Sequence, residues 1–273
     1  ADHLIKKVAK FHESIRIGSM IAKNNKLVAL GVKPIKPETG YGYIEVKKNN
    51  IGEYYKINSF TEKPKLSLAK EYIKSGNFFW NTGIFMFKAS TFIKELKKYE
   101  PDIFNTCNEA INKTSIDNDF IRIDYSAFNK CPNKSIDYAI MEKTNQAFVV
   151  PFDGYWSDIG SWEALWESKP KDKNMNIKEG DVILKNVQNS FIHSSNRLVT
   201  VNNLEDIIVI DTQDALLVSS KNKSQDIKNF VEILKSANRT EPENHRKVYR
   251  PWGYFDSLDS GKGFQVKRIS VNP

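Results

Sequence analysis

Cysteine and histidine are scarce in this sequence, two and four among 273 residues. Cys107 and Cys131 are too far apart for a C-x-x-C pair and too few for a zinc framework, so no redox chemistry is expected and a reducing cytoplasm suits them. His3, His12, His193 and His245 lack metal-ligand spacing, which removes a histidine-rich metal site. No apolar run approaches the roughly 18 residues that a membrane span needs, so no membrane partner is expected. The chain begins Ala1-Asp2-His3 with no initiator Met, charged n-region or apolar h-region, and it stops after the alternating pattern of Gly263 to Pro273. A middle piece of a longer polypeptide is expected.

What is present is ordinary for a globular chain: 40% hydrophobic, 12% aromatic and 27% charged residues, which excludes disordered and collagenous classes. The net charge of +8 is spread as single lysines rather than as a compact basic block with interleaved aromatics. That pattern favours small anions over nucleic acid. At roughly 150 residues per domain, the length fits one large α/β domain plus an appendage.

Apolar periodicity predicts a helix over 4–22, strands at 27–32, 42–46, 54–60 and 78–87, and helices at 67–75 and 91–99, the last capped by Ser90. A further helix runs through Ile111, residues 124–133 read as loop, 136–142 as a short helix and 146–151 as a strand. Alternation of strands with helices predicts a largely parallel, helix-covered sheet. After Trp166 short β-branched strands at 180–183, 190–192, 198–201, 207–210 and 215–218 predict a small stacked β appendage, with a β-helix as one form it can take. One amphipathic helix over 221–237 and a charged linker over 239–250 follow, with a module boundary near Tyr249.

Several residues could carry chemistry, and each also has an ordinary structural use. Asp2 and Asp158 are helix caps, or a pair of hard oxygen ligands of the kind that hold Mg²⁺ between phosphates. Gly40, Tyr41 and Gly42 form a turn into a strand, or let backbone approach a sugar or base. Glu62 and Lys63 make a surface salt bridge, or divide between sugar hydroxyls and a phosphate. Trp80-Asn81-Thr82-Gly83 reads as a β-bulge with a satisfied amide, or as a hydroxyl-binding amide.

Their order adds to this. Asp2-His3, Gly40-Tyr41-Gly42, Glu62-Lys63-Pro64, Trp80-Asn81-Thr82-Gly83, Ser135-Ile136-Asp137-Tyr138 and Trp156-Ser157-Asp158-Ile159-Gly160 together resemble the sugar nucleotidyltransferases. Within them the chain resembles the mannose-1-phosphate guanylyltransferases fused to a type II mannose-6-phosphate isomerase, because Arg250-Pro251-Trp252-Gly253-Tyr254 and Gln265-Val266-Lys267-Arg268-Ile269 look like the start of the isomerase.

The resemblance implies an α/β, Rossmann-like nucleotidyltransferase domain at 1–170 lacking its first βα elements. A β-rich, β-helix-like appendage with a closing helix follows at 171–238, then a linker and the start of a truncated cupin isomerase module at 239–273. It implies that Asp2 and Asp158 hold the catalytic Mg²⁺ and that Lys63 neutralises phosphate. Gly40, Tyr41 and Gly42 would face the sugar nucleotide, Glu62 would bind mannose hydroxyls, Asn81 and Gly83 would hold the sugar, and Asp137 would shape the pocket. The implied reaction joins GTP and mannose 1-phosphate into GDP-mannose and pyrophosphate without a covalent enzyme intermediate, in a cytoplasmic homodimer. The family's Gly-rich loop, G-G-x-G-x-R-L-W-P-L, would precede Asp2. A non-catalytic sugar-nucleotide-binding or oligomerisation fragment, and a relative specific for another sugar or base, remain open alternatives.

Overall fold

A computed structural model describes residues 3–47, 52–117, 120–239, 241–243 and 245–272. The chain divides into two compact units, His3–Trp156 and Ser157–Pro273.

In the first unit β1 (Leu4–Ile5) precedes α1 (Val8–Lys23), followed by β2 (Leu27–Val32), β3 (Tyr43–Val46), β4 (Tyr55–Thr61), α2 (Leu66–Ser75) and β5 (Phe78–Met86). Then come α3 (Ala89–Tyr99), α4 (Pro101–Asn112), the hairpin β6 (Ser115–Asp117) and β7 (Phe120–Arg122), α5 (Tyr125–Phe128), a π-helix (Asp137–Met141) and β8 (Ala147–Pro151). The predicted single helix over 4–22 loses its first turn. Lys6 N–H donates to Tyr155 O at 3.2 Å, so this backbone is claimed before α1 begins. Ser90 does not cap α3, which starts one residue earlier without a side-chain cap. The 124–133 loop contains the short α5, whose first turn Asp124 caps by accepting from Ala127 N–H at 2.8 Å.

The strands close into a ring, β2-β5-β3-β4-β8. Only β2 and β8 pair in parallel; the other four pairings are antiparallel. This corrects the expected largely parallel sheet, and one inserted strand accounts for two of the four antiparallel pairings. β4 and β5, joined through α2, do run the same way, as a strand-helix-strand unit demands. However, β3 lies between them and pairs antiparallel with both. Helix-strand alternation fixes the direction of linked strands but not which strand lies beside which.

The core explains why β2 is apolar throughout. Successive side chains on a strand face opposite sides, and here both sides are covered. Leu27 and Ala29 join Ile44, Phe60, Ile140 and Val149, while Val28 and Leu30 join Ile17 and Ile21 of α1. Leu27, Leu30, Ile44 and Ile140 are fully buried, each contributing about 1.5–3 kcal/mol. At Gly31 the neighbouring strands leave no room for a side chain: a Cβ would lie 2.6 Å from Val149 Cγ2 and 2.9 Å from Phe79 Cβ.

In the second unit β9 (Trp156–Ser157) marks the division, followed by α6 (Trp162–Ser168), β10 (Ile177–Glu179), β11 (Val182–Gln188), β12 (Phe191–Ser194), β13 (Val199–Glu205), β14 (Ile207–Asp211) and β15 (Leu216–Ser220). A 3₁₀ turn (Lys221–Asp226), α7 (Ile227–Ser236), β16 (Lys247–Arg250), β17 (Gly253–Gly261) and β18 (Phe264–Val271) complete it. Parallel pairs Val182↔Val199 and Phe191↔Ile208 repeat a register of 17 residues (199 − 182 and 208 − 191), the signature of a β-helix coil. Its corners repeat too. Asn186 and Asn203, and Asn189 and Asp206, all have φ of 53–54°, a left-handed conformation that Asn and Asp tolerate best after glycine. Asn186 Nδ2 donates to Asn203 Oδ1 at 2.9 Å, and Asn189 to Asp206 one corner on.

Two expectations change here. The single helix over 221–237 splits, because Lys221 is buried with its ammonium 3.5 Å from the Trp166 ring centre and donates to Asn189 O. The charged stretch 239–250 includes a strand, since Lys247–Arg250 pairs with β17 and Arg246 binds Asp256 at 2.7 Å and, through its N–H, Asp214 at 2.8 Å.

Candidate functional site

β3 sets the site by lying between β4 and β5. Tyr43 pairs with Thr61 on one side and Trp80 on the other. One step beyond that register, Glu62, Gly42 and Asn81 fall in a row across three strands. Gly42 is the gap in the row. A Cβ there would lie 2.5 Å from Glu62 Oε2 and 3.3 Å from Asn81 Cβ, so glycine is required by space and not by φ. Asn81 N–H donates to Gly42 O at 2.8 Å and fixes the row.

Asn81 sits in a bulge. Ala29 opposes Phe85 but Gly31 opposes Asn81, so β5 carries extra residues against β2. Thr82 Oγ1 closes the bulge on Leu30 O at 2.9 Å, and Gly83, with φ of 72° and nothing near its missing Cβ, supplies the left-handed turn. The Asn81 amide is oriented at both ends, Nδ2 donating to Asp137 Oδ1 at 2.9 Å and Oδ1 accepting from Gly83 N–H at 3.1 Å, which leaves its second N–H and a second lone pair for a ligand. Both uses read for it in the sequence are compatible with this geometry.

Glu62 and Lys63 form an ion pair at 3.1 Å, but not a surface one on the acid side: the Glu62 side chain is 9% exposed and that of Lys63 57%. Glu62 Oε2 is buried without a hydrogen-bond partner. Burial, then the nearby Asp137 and Glu142 charges, push the Glu62 carboxyl above its ordinary range, while the bond to Lys63 pulls it down. The bond to Glu62 raises the Lys63 ammonium against the opposing effect of burial, with help from the charges of Glu62, Tyr138 and Asp137. Lys63 has φ of 47°, a left-handed backbone that costs a side-chain-bearing residue about 1–2 kcal/mol and is kept where the surroundings enforce it.

Tyr41 flanks the row. Its ring meets those of Trp80 and Trp156, each with centres 5.2 Å apart. Gly40 N–H donates to Glu38 Oε1 at 3.1 Å, closing the turn that leads to Tyr41. Gly42, Glu62, Lys63, Asn81, Gly83 and Asp137 are thus brought together, with Tyr41 alongside. Asp2 lies outside the described residues. Asp158 lies in the second unit, half-buried, with Oδ1 accepting from Gly160 N–H at 2.9 Å. It does not cap α6; Ser161 does, accepting from Ala164 N–H at 3.1 Å. Among the described residues no three His, Cys, Asp or Glu side chains gather as a metal cluster. Asp158 offers the oxygen donors that a hard divalent cation takes.

Sequence reasoning missed two features. Glu142 accepts from Glu62 N–H at 3.1 Å, and nothing in its local spacing points there. Cys107 and Cys131, far apart in sequence, have Sγ atoms 3.8 Å apart.

A three-strand row of acid, gap and amide on a ring-cored α/β unit, with a parallel β-helix in the following unit, defines a nucleotidyltransferase fold with a β-helix extension. The chain belongs to the nucleotidyl transferase family, whose model matches residues 1–175. A MannoseP isomerase/GMP-like β-helix domain matches 180–234, and a mannose-6-phosphate isomerase C-terminal domain matches 237–273. The chain is 46% identical over 279 residues to a mannose-1-phosphate guanylyltransferase of Salmonella montevideo, covering 100% of this chain and 59% of that protein. It is 44% identical over 277 residues to one of Escherichia coli K12, covering 100% and 58%. The chain therefore spans about three-fifths of the length of these relatives. A crystal structure of a mannose-1-phosphate geranyltransferase from Thermus thermophilus aligns with TM-score 0.74 at 26% identity over 86% of this chain and 68% of that one. A mannose-6-phosphate isomerase from Helicobacter pylori aligns with TM-score 0.53 at 34% identity over 57% and 61%. No described helix is long and apolar enough to cross a membrane.

Proposed function

We propose that the protein transfers a guanylyl group from GTP to mannose 1-phosphate, releasing pyrophosphate and forming GDP-mannose. The observation that carries this reading is the buried Glu62 Oε2, without a hydrogen-bond partner beside Gly42 and in one row with Asn81. A buried carboxylate oxygen is costly without a donor, and a sugar hydroxyl is such a donor. The names of the relatives support mannose as the sugar.

In this reading Glu62 and Asn81 hold mannose hydroxyls, and the exposed Lys63 ammonium neutralises the sugar phosphate. Asp137 keeps the Asn81 amide oriented, and the Gly40–Gly42 turn presents backbone to the sugar nucleotide. A phosphate oxygen of mannose 1-phosphate attacks the α-phosphorus of GTP and pyrophosphate leaves. Such a displacement needs alignment and charge neutralisation rather than a protein nucleophile. Nucleotidyltransferases of this kind use a divalent cation; Asp2 and Asp158 would hold Mg²⁺, which supplies charge neutralisation to the phosphates. The match to an isomerase C-terminal domain at 237–273 supports a bifunctional protein.

The test is pyrophosphate release by the full-length protein with GTP and mannose 1-phosphate, with ATP and glucose 1-phosphate as controls. Release requiring both substrates, lost in Asp158→Asn with the melting temperature unchanged, is the expected result. Turnover unaffected by Asp158→Asn, or faster with the control pair, refutes it.

A further inference from the structure

We infer that the π-helix Asp137–Met141 works as a clamp on the sugar site, and that Glu142 at its end is a positioning residue for the Glu62–Lys63 turn. Two side chains five residues apart each grip one member of the row. Asp137 Oδ1 accepts from Asn81 Nδ2 at 2.9 Å, and Glu142 Oε1 accepts from Glu62 N–H at 3.1 Å. In an α-helix residues i and i+5 point about 140° apart, so one of the two would face away. Here Glu142 N–H donates to Asp137 O at 3.0 Å, the i→i+5 closure that puts five residues close to one turn. Both carboxylates then point toward the same row.

The clamp has a fixed base. Ala139, Ile140 and Met141, between the two carboxylates, are 3%, 0% and 2% exposed in the core that holds Leu27 and Val149. It also has something to hold, since Lys63 is kept at a φ of 47° immediately after the residue whose N–H Glu142 binds. Glu142 itself is solvent-exposed, so its removal leaves the core intact.

The test uses the whole chain and three proteins: wild type, Glu142→Ala and Glu142→Gln. Glutamine keeps an acceptor oxygen and drops the charge. The Glu62 backbone amide is followed by ¹H–¹⁵N spectroscopy, and mannose 1-phosphate affinity by calorimetry. The expected result is a shifted, faster-exchanging Glu62 amide and about tenfold weaker binding in Glu142→Ala, the size expected for a lost hydrogen bond to a charged acceptor. Glu142→Gln is expected to return the amide and to bind within about twofold of wild type. An unmoved Glu62 amide in Glu142→Ala overturns the inference, as does equal loss in both variants accompanied by a lower melting temperature. The ligand arm rests on the mannose 1-phosphate reading. If wild type does not bind that sugar phosphate while the amide still moves and is rescued, the reading fails and the clamp stands.

Discussion

Asn81→Asp tests the site through one bond. The 2.9 Å contact between Asn81 Nδ2 and Asp137 Oδ1 would become a contact between two carboxylates. At an effective dielectric of about 20, two unit charges at that distance repel by about 6 kcal/mol. The folded variant has a cheaper escape, which is to bind one proton between the two oxygens. Holding a proton above the ordinary Asp value of about 3.9 costs about 1.36 kcal/mol per pH unit, hence about 4 kcal/mol at pH 7 and about 1.5 kcal/mol at pH 5. Proton uptake is the smaller cost, so the variant folds with an extra proton. The native state then binds more protons than the unfolded chain above pH ~4, and stability relative to wild type falls as pH rises. Urea unfolding of both proteins at pH 5, 6 and 7 reads this directly. A destabilisation that is the same at all three values, or below about 1 kcal/mol at pH 7, refutes the claim that these two side chains share a hydrogen bond.

Two other perturbations follow from the same geometry and its surroundings. The Glu62 carboxyl is held above its ordinary range by burial, so the native state binds its proton more tightly than the unfolded chain does. Its cost to stability is absent below the ordinary Glu value, grows as pH rises toward the raised folded value, and is constant above it. Glu62→Gln is therefore expected to gain on the order of 1 kcal/mol at pH 8 and nothing at pH 4, with weaker mannose 1-phosphate binding; equal stability of the two proteins at pH 8 would show that Oε2 is not desolvated. The Sγ atoms of Cys107 and Cys131 stand 3.8 Å apart, so oxidised glutathione is expected to join them, releasing two reduced glutathiones and removing two titratable thiols. Burial raises the Cys107 thiol, which makes the exchange faster at alkaline pH; retention of both thiols in the folded protein would show that the pair cannot close.

Much of the fold was legible because the elements are dictated locally. The apolar run Leu27–Val32 reads as a short buried strand, and it is one, packed against α1 on one face and against Ile44, Phe60 and Val149 on the other. The β-helix strands were legible from clusters of β-branched residues, and its 17-residue register follows once Asn186, Asn189, Asn203 and Asp206 are seen to turn corners. What the local pattern does not carry is adjacency. Nothing within β4, α2 or β5 announces that β3 will lie between the two strands, and that placement replaces one expected parallel pair with two antiparallel ones. Lys221 shows the same limit on a smaller scale. The polar stretch 221–226 runs into the apolar period of α7 and reads as part of the same helix, but with its cation seated on Trp166 the chain there is a 3₁₀ turn.

The candidate site was legible in its parts for a reason that also bounds the reading. Gly42, Glu62 and Asn81 each violate a local rule: a missing side chain in a strand, an acid going into the interior, an amide in an aromatic run. Each looks structural alone, because one violation can be absorbed by its own neighbourhood. The register at Tyr43 makes them a single feature, since the strand inserted between β4 and β5 is also what puts the three positions side by side. The two antiparallel pairings that β3 makes and the gathering of these three residues therefore have one cause. Glu142 escaped because its role depends on i→i+5 closure, and a sequence read at a period of 3.6 residues sends it to the wrong face. A carboxylate that grips a backbone N–H leaves no mark in composition or spacing, whereas one that lacks a donor, as Glu62 does at Oε2, leaves a stability cost that a ligand can relieve.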